Sequence, residues 1–340
     1  MNSEPPLLEI RSLSKNFGGA APLFNRLSSA RPRVLQAVRD VSLNLAAGET
    51  LGLVGESGCG KSTLARCIAG LYQPTAGEIL YNGHPLHGKS GDRRTASRRV
   101  QMIFQDPYAS LNPRLSIEST LAEVLIVHRL ARSRGEIRDR VDQLLSTVGL
   151  SPKLKQQLPH AFSGGQRQRI SVARALAVEP EIIIADEPIS ALDVSIQAQI
   201  VNLFIELRER YGLAYIFIAH DLNVVRHISH RVAVMYLGQI AELADSRDLF
   251  SNPGHPYTRS LLSAIPKPDP EQRTRAVSLE GDLPDPYAPP LGCSFSTRCP
   301  LVVEKCRALE PSLDQYSRDH YVRCHRAFDV GFDPAQARGQ

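Results

Sequence analysis

Nine residues constrain this chain more than any others. Gly55-Glu56-Ser57-Gly58-Cys59-Gly60-Lys61-Ser62-Thr63 fit the spacing G-x-x-x-x-G-K-[ST]. Leu51 to Val54 before them read as a short buried strand, and Leu64 to Leu71 after them as a helix. The glycines let the backbone curl so that successive N–H groups face inward as an anion nest. The helix adds the positive end of its dipole. The spacing predicts that Lys61 reaches the β- and γ-phosphates and that the Ser62 hydroxyl ligates Mg²⁺. A chance glycine-rich turn would lack this strand–turn–helix setting. The stretch therefore predicts a nucleoside triphosphate site and an α/β fold.

The chain has 340 residues, room for one large domain with an appendage or for two domains. A net charge of +5 does not demand a nucleic-acid partner. The N-terminus lacks a basic segment followed by an apolar run, so no secretory signal is expected. No stretch approaches the roughly 18 apolar residues of a membrane span. The expectation is a cytosolic protein, docked at most to a membrane protein, with its six cysteines reduced.

Residues 7–17 alternate as an edge strand would, and Val41 to Leu45 alternate again. Gly77 to Tyr81, followed by Asn82-Gly83, predicts a strand and a tight turn. Residues 88–99 are basic (Lys89, Arg93, Arg94, Arg98, Arg99), a solvated surface or a partner contact. Val100 to Phe104 reads as a strand ending at Gln105. Ile137, Val141, Leu144, Leu145 and Val148 make one helical face, with Gly149 placed to cap it, so a helical insertion interrupts the α/β pattern at about 108–165. Glu181 to Ala185 and Ala214 to Ala219 read as buried parallel strands joined by a helix over Ile196 to Arg210. Val232 to Leu243 reads as a hairpin. Beyond Asn252-Pro253-Gly254 the composition shifts. Residues 265–290 are rich in Pro and Asp, and four cysteines follow, which puts a boundary near 250.

Asp186 and Glu187 fall at the tip of a core strand. Asp186 suits Mg²⁺, and Glu187 suits a water that attacks phosphorus, although acids there could instead cap the next helix. His220, just past another strand, could bond the γ-phosphate.

Together these residues resemble the ATPase subunits of ATP-binding-cassette (ABC) transporters over roughly residues 7–250. The resemblance implies a P-loop NTPase cassette: a RecA-like parallel sheet, an antiparallel β subdomain and a helical signature subdomain, with a small C-terminal cysteine-containing domain over 251–340. Gln105 looks like the residue that joins Mg²⁺ and senses the transmembrane partner. Ser163-Gly164-Gly165-Gln166 look like the signature, with Phe162 where Leu is more usual, and Asp193 like the residue across the dimer interface. Phe17 matches the aromatic that stacks on adenine, though a core phenylalanine fits the sequence nearly as well. The resemblance implies that two cassettes sandwich two ATP molecules, each signature closing on the other subunit's P-loop.

Ile103 to Pro113, Ser190 to Gln199, His255-Pro-Tyr-Thr258 and Leu279 to Pro286 look like the oligopeptide and dipeptide importer branch, most like its F-type subunit. Importers of nickel and other small solutes share much of this pattern. A non-transport cassette acting on nucleic acid is a remoter alternative. The resemblance implies ATP hydrolysis at the cytoplasmic face of the inner membrane. Its implied partners are two permeases, a sister D-type ATPase and, indirectly, an external binding protein. Cys293, Cys299, Cys306 and Cys324 have spacing C-x5-C-x6-C-x17-C, which by itself leaves a metal site and structural thiols open. The resemblance implies a [4Fe–4S] cluster, with zinc as the alternative. His320 and His325 could substitute as ligands, but four cysteines suffice; Cys59 in the loop and Cys67 on its helix read as packing residues, Cys59 being also a candidate for thiol inhibition.

Overall fold

The computed structural model describes residues 5–18, 33–87, 98–106, 110–265 and 283–327. Lys89, Arg93 and Arg94 of the basic stretch, and most of the Pro- and Asp-rich segment, lie outside the described residues. The alternating N-terminal run forms β1 (Leu8–Phe17). It is followed by β2 (Leu35–Leu45), β3 (Thr50–Val54), helix α1 (Lys61–Ile68), β4 (Ala76–Tyr81) and β5 (His84–Pro85). An antiparallel sheet has the order β2-β1-β4-β5. β1 is therefore interior and not the edge strand its pattern predicts. Its inward residues Leu8, Ile10 and Leu13 are buried while β2 and β4 take its two ladders.

The rest of the chain gives β6 (Val100–Ile103), α2 (Ile117–Val127), α3 (Arg134–Thr147), α4 (Gly164–Leu176), β7 (Ile182–Asp186), α5 (Val194–Tyr211) and β8 (Ala214–Ile218). After these come α6 (Leu222–Ile228), β9 (Arg231–Tyr236), β10 (Gln239–Asp245), α7 (Ser246–Ser251), α8 (Pro256–Ser263), α9 (Glu304–Ala308), β11 (Asp314–Ser317) and β12 (His320–Val322). The large sheet has the order β11-β12-β10-β9-β3-β8-β7-β6, with β9, β3, β8, β7 and β6 parallel. The predicted hairpin is β9–β10, turned by Leu237 and Gly238, both with positive φ as such a turn requires.

Both faces of this sheet are covered at β3, β7 and β8, which is why those strands are almost continuously apolar. Ile183 and Ala185 belong to one hydrophobic core, Ile182 and Ile184 to the other. Each such isoleucine contributes roughly 1.5–3 kcal/mol by burial. In the helical insertion, α2 and α3 bury Ile117, Leu121, Leu125, Val141 and Leu145 into the first core. Ser116 and Ser133 cap them, each accepting from a backbone N–H three residues on. The cysteine-bearing tail docks on the cassette: β12 pairs with β10, and Cys293, Phe295 and Cys306 join the first core.

Candidate functional site

Parallel strands β3, β7 and β8 end side by side, and ligands of open α/β sheets bind beyond such carboxyl ends. The residues that follow these ends, Gly55, Glu187 and His220, line one cavity of about 500 Å³, joined by Gln105 beyond β6. Ser57, Gly58, Gly60, Lys61, Ser62 and Thr63 form its floor. Gly55 and Gly60 have φ of 150° and 107°. A Cβ on either would come within 2.2 Å of a carbonyl oxygen, of Met235 or of Ala37, so only glycine fits. Lys61 is buried, and its Nζ donates to the carbonyls of Gly55 at 2.8 Å and Glu56 at 2.9 Å.

The Ser62 hydroxyl donates to Asp186 Oδ1 at 3.0 Å. Burial pushes the Asp186 carboxyl up, and the Ser62 bond offsets this in part. The Ser62 hydroxyl and the Gln105 amide line the cavity, and with the Asp186 carboxylate bonded to Ser62 they are the hard oxygen donors that Mg²⁺ takes. Glu187 adopts left-handed backbone, φ 47°, unusual for a non-glycine residue. Its N–H donates to the Ile218 carbonyl at 3.0 Å, anchoring it to the end of β8. Its Oε2 accepts from Gln105 Nε2 at 2.9 Å and lies 3.7 Å from His220 Nδ1. Local strain of this kind collects where geometry is needed for function.

Residues 38–190 match the family described as ABC transporter, and residues 241–306 match the oligopeptide/dipeptide transporter C-terminal region. The oligopeptide transport ATP-binding protein OppF of Haemophilus influenzae is 50% identical, over 95% of this chain and 98% of its own length. The chain belongs to the ABC transporter ATPases. The oligopeptide transport ATP-binding protein AppF of Bacillus subtilis is 48% identical, again over 95% of this chain and 98% of the relative. Among solved structures, the ATP-binding cassette MJ0796, a dimer in a post-hydrolysis state bound to ADP and Pi, superposes with a TM-score of 0.60 at 28% identity. That match covers 71% of this chain and 99% of the other.

This cassette brings Lys61, Ser62, Gln105, Glu187 and His220 together, with Asp186 bonded to Ser62. Phe17 is not among the residues that line the cavity, and its ring meets Tyr72 edge-on at 5.3 Å. Glu56 and Cys59 of the same loop are not among the residues that line the cavity. Cys59 is 1% exposed and burial pushes its thiol up despite nearby Lys61, so the environment is that of an unreactive thiol. Ser163 caps α4 in a reciprocal pair with Gln166 and is exposed. Asp193 is exposed at the start of α5. Neither Ser163 nor Asp193 lines this chain's own cavity.

Sequence reasoning missed Leu35, Gln36, Ala37, Leu237, Gly238 and Pro286, which also line it. The hairpin glycine was visible, but not that its N–H donates to the Cys59 carbonyl at 2.9 Å and so braces the loop.

In the tail, all four cysteines line one small cavity, and none of the six in the chain forms a disulfide. Burial pushes the Cys293 thiol up to about 11 and Cys299 up to about 12, with the neighbouring cysteines adding to both. Yet among the described residues no three Cys, His, Asp or Glu side chains are arranged to hold a metal ion, so the geometry does not support the expected cluster. The convergence is looser than a ligand shell. His320 is not a spare ligand either: its Nε2 bonds buried Glu242 at 2.7 Å.

Proposed function

We propose that this chain is the ATP-hydrolysing subunit of an importer for di- or oligopeptides. The convergence of Lys61, Ser62, Gln105, Glu187 and His220 on one cavity carries the reading of the reaction. The matched C-terminal region carries the reading of the substrate class. Phosphoryl transfer needs placement and charge compensation more than covalent help. Lys61 holds the β- and γ-phosphates. Ser62, Gln105 and Asp186 would hold Mg²⁺, which when bound would neutralise phosphate charge. Glu187 orients the attacking water and accepts its proton, and His220 fixes the γ-phosphate.

The Ser163–Gln166 turn, exposed at Ser163, and exposed Asp193 face the ATP of a second cassette, a sister D-type subunit. Closure of that pair moves two permeases from the cytoplasmic face of the membrane. Among the described residues no helix is long and apolar enough to cross a membrane, so translocation belongs to those permeases. Solute choice belongs to them and to the external binding protein. In this division of labour residues 1–250 do the ATP chemistry and 251–340 are the importer-specific module. The four cysteines that line one cavity are the residue type a [4Fe–4S] cluster takes, although they are not drawn together as a ligand shell, and such a cluster would have a structural role. When bound, it would tie together the segments that carry the four cysteines.

Affinity purification of the tagged chain from native membranes is expected to recover two permeases and a second cassette. Recovery of ribosomes or DNA without permeases would overturn the transport reading. The same material, kept anaerobic, is expected to contain iron and labile sulfide in equal amounts; stoichiometric zinc without iron would assign a zinc–thiolate site instead.

A further inference from the structure

The one acidic side chain of the phosphate-binding loop is held from outside the loop. Glu56 accepts two bonds from the Arg298 guanidinium, Nη1 to Oε2 at 2.8 Å and Nη2 to Oε1 at 3.2 Å. This is the parallel fork that fixes geometry as well as charge. The Arg298 side chain is 7% exposed and that of Glu56 24%, so the pair is largely shielded from water. The Glu56 backbone N–H donates to the hydroxyl of buried Tyr257 at 2.8 Å. Its carbonyl accepts from Lys61 Nζ. The tail's grip and the lysine's anchor therefore meet on one residue.

Both tail groups are rigidly mounted. Arg298 follows a tight turn in which Ser296 N–H donates to the Cys293 carbonyl and Arg298 N–H to the Phe295 carbonyl. Phe295 is buried against Tyr236, Tyr257 and His255, with ring centroids 5.3, 5.5 and 5.7 Å away. One aromatic cluster thus sets the base of Arg298 and the hydroxyl of Tyr257 together.

We propose that Arg298, seconded by Tyr257, is a positioning residue for ATP binding: it neutralises Glu56 and fixes the loop that presents Lys61 to the triphosphate. An unpaired carboxylate there would repel the phosphates in a partly desolvated setting, where charges interact more strongly than in water. It would also free the carbonyl that anchors Lys61. The inference rests on the reading of Gly55–Thr63 as the ATP loop, and it gives the tail a direct part in nucleotide affinity.

The test is titration of the full-length chain with a fluorescent ATP analogue, mant-ATP. Arg298→Met is expected to weaken binding about tenfold, equivalent to about 1.4 kcal/mol. Adding Glu56→Gln to Arg298→Met should restore most of the loss, because the unpaired charge is gone. A merely structural role predicts no such rescue. Wild-type affinity in Arg298→Met, or a double variant no better than the single, would overturn the proposal. Should Arg298→Met fail to fold, Tyr257→Phe, which removes only a hydroxyl, decides: weakened binding supports the clamp and unchanged binding refutes it. Lys61→Ala separates the two levels. Lost binding there with full binding in both tail variants refutes the clamp alone, whereas retained binding in Lys61→Ala refutes the ATP loop itself.

Discussion

Replacing Glu187 with glutamine is expected to cut ATP turnover of the assembled transporter by about a hundredfold or more, the range for loss of a positioned general base. Binding should survive. Glutamine keeps the size of the side chain, and its amide oxygen can still accept from Gln105 Nε2, now at 2.9 Å from Glu187 Oε2. The left-handed backbone at this residue is held by its N–H bond to the Ile218 carbonyl, which the substitution leaves intact. What disappears is the capacity to take a proton from water. ATP should then remain sandwiched between two cassettes, so the variant should run as a nucleotide-loaded dimer in size-exclusion chromatography with ATP and release little phosphate. Turnover like the wild type would remove Glu187 from the role and leave His220, 3.7 Å away, as the group to test next.

The parts of this site that were legible are those set by local spacing. Gly55 to Thr63 specifies its own turn. The apolar runs before Asp186 and His220 specify strands whose ends deliver those residues to one place. The helix start at Ser163 was legible for the same reason, as Ser163 and Gln166 cap one helix end reciprocally.

Pairing partners, by contrast, leave little trace in a sequence. β1 alternates as an edge strand would, yet interior and edge positions differ only in what lies alongside. Phe17 meets the ring of Tyr72, 55 residues on, a pairing that no local spacing announces. The tail's contact with the loop spans 242 residues from Glu56 to Arg298, far beyond any periodicity. Cys59 reads from the sequence as a packing residue, and it is buried. Its Sγ is turned inward, within 3.7 Å of Lys61 Nζ. His320 was a reasonable ligand until Glu242, buried on β10, was found to hold it.

Lys61→Ala is expected to weaken ATP binding by about a hundredfold or more and to silence turnover with it. A hydrogen bond to a charged group contributes about 1.5–3 kcal/mol, and the lysine is placed to make at least one to the phosphates. At the upper end that alone is roughly 150-fold. The substitution also removes the two bonds by which Nζ holds the Gly55 and Glu56 carbonyls, so the loop loses an internal tie as well as a cation. The fold should survive the change. The Gly238 N–H still bonds the Cys59 carbonyl, and Arg298 and Tyr257 still hold Glu56. Thermal unfolding without nucleotide is therefore expected to shift little, while the stabilisation that ATP gives the wild type should vanish, because a ligand stabilises only the state it binds. The two curves separate causes: a large drop in the nucleotide-free melting temperature would mean that Lys61 serves mainly as a strut for the loop, and an unchanged ATP-induced shift would mean that the triphosphate is held elsewhere.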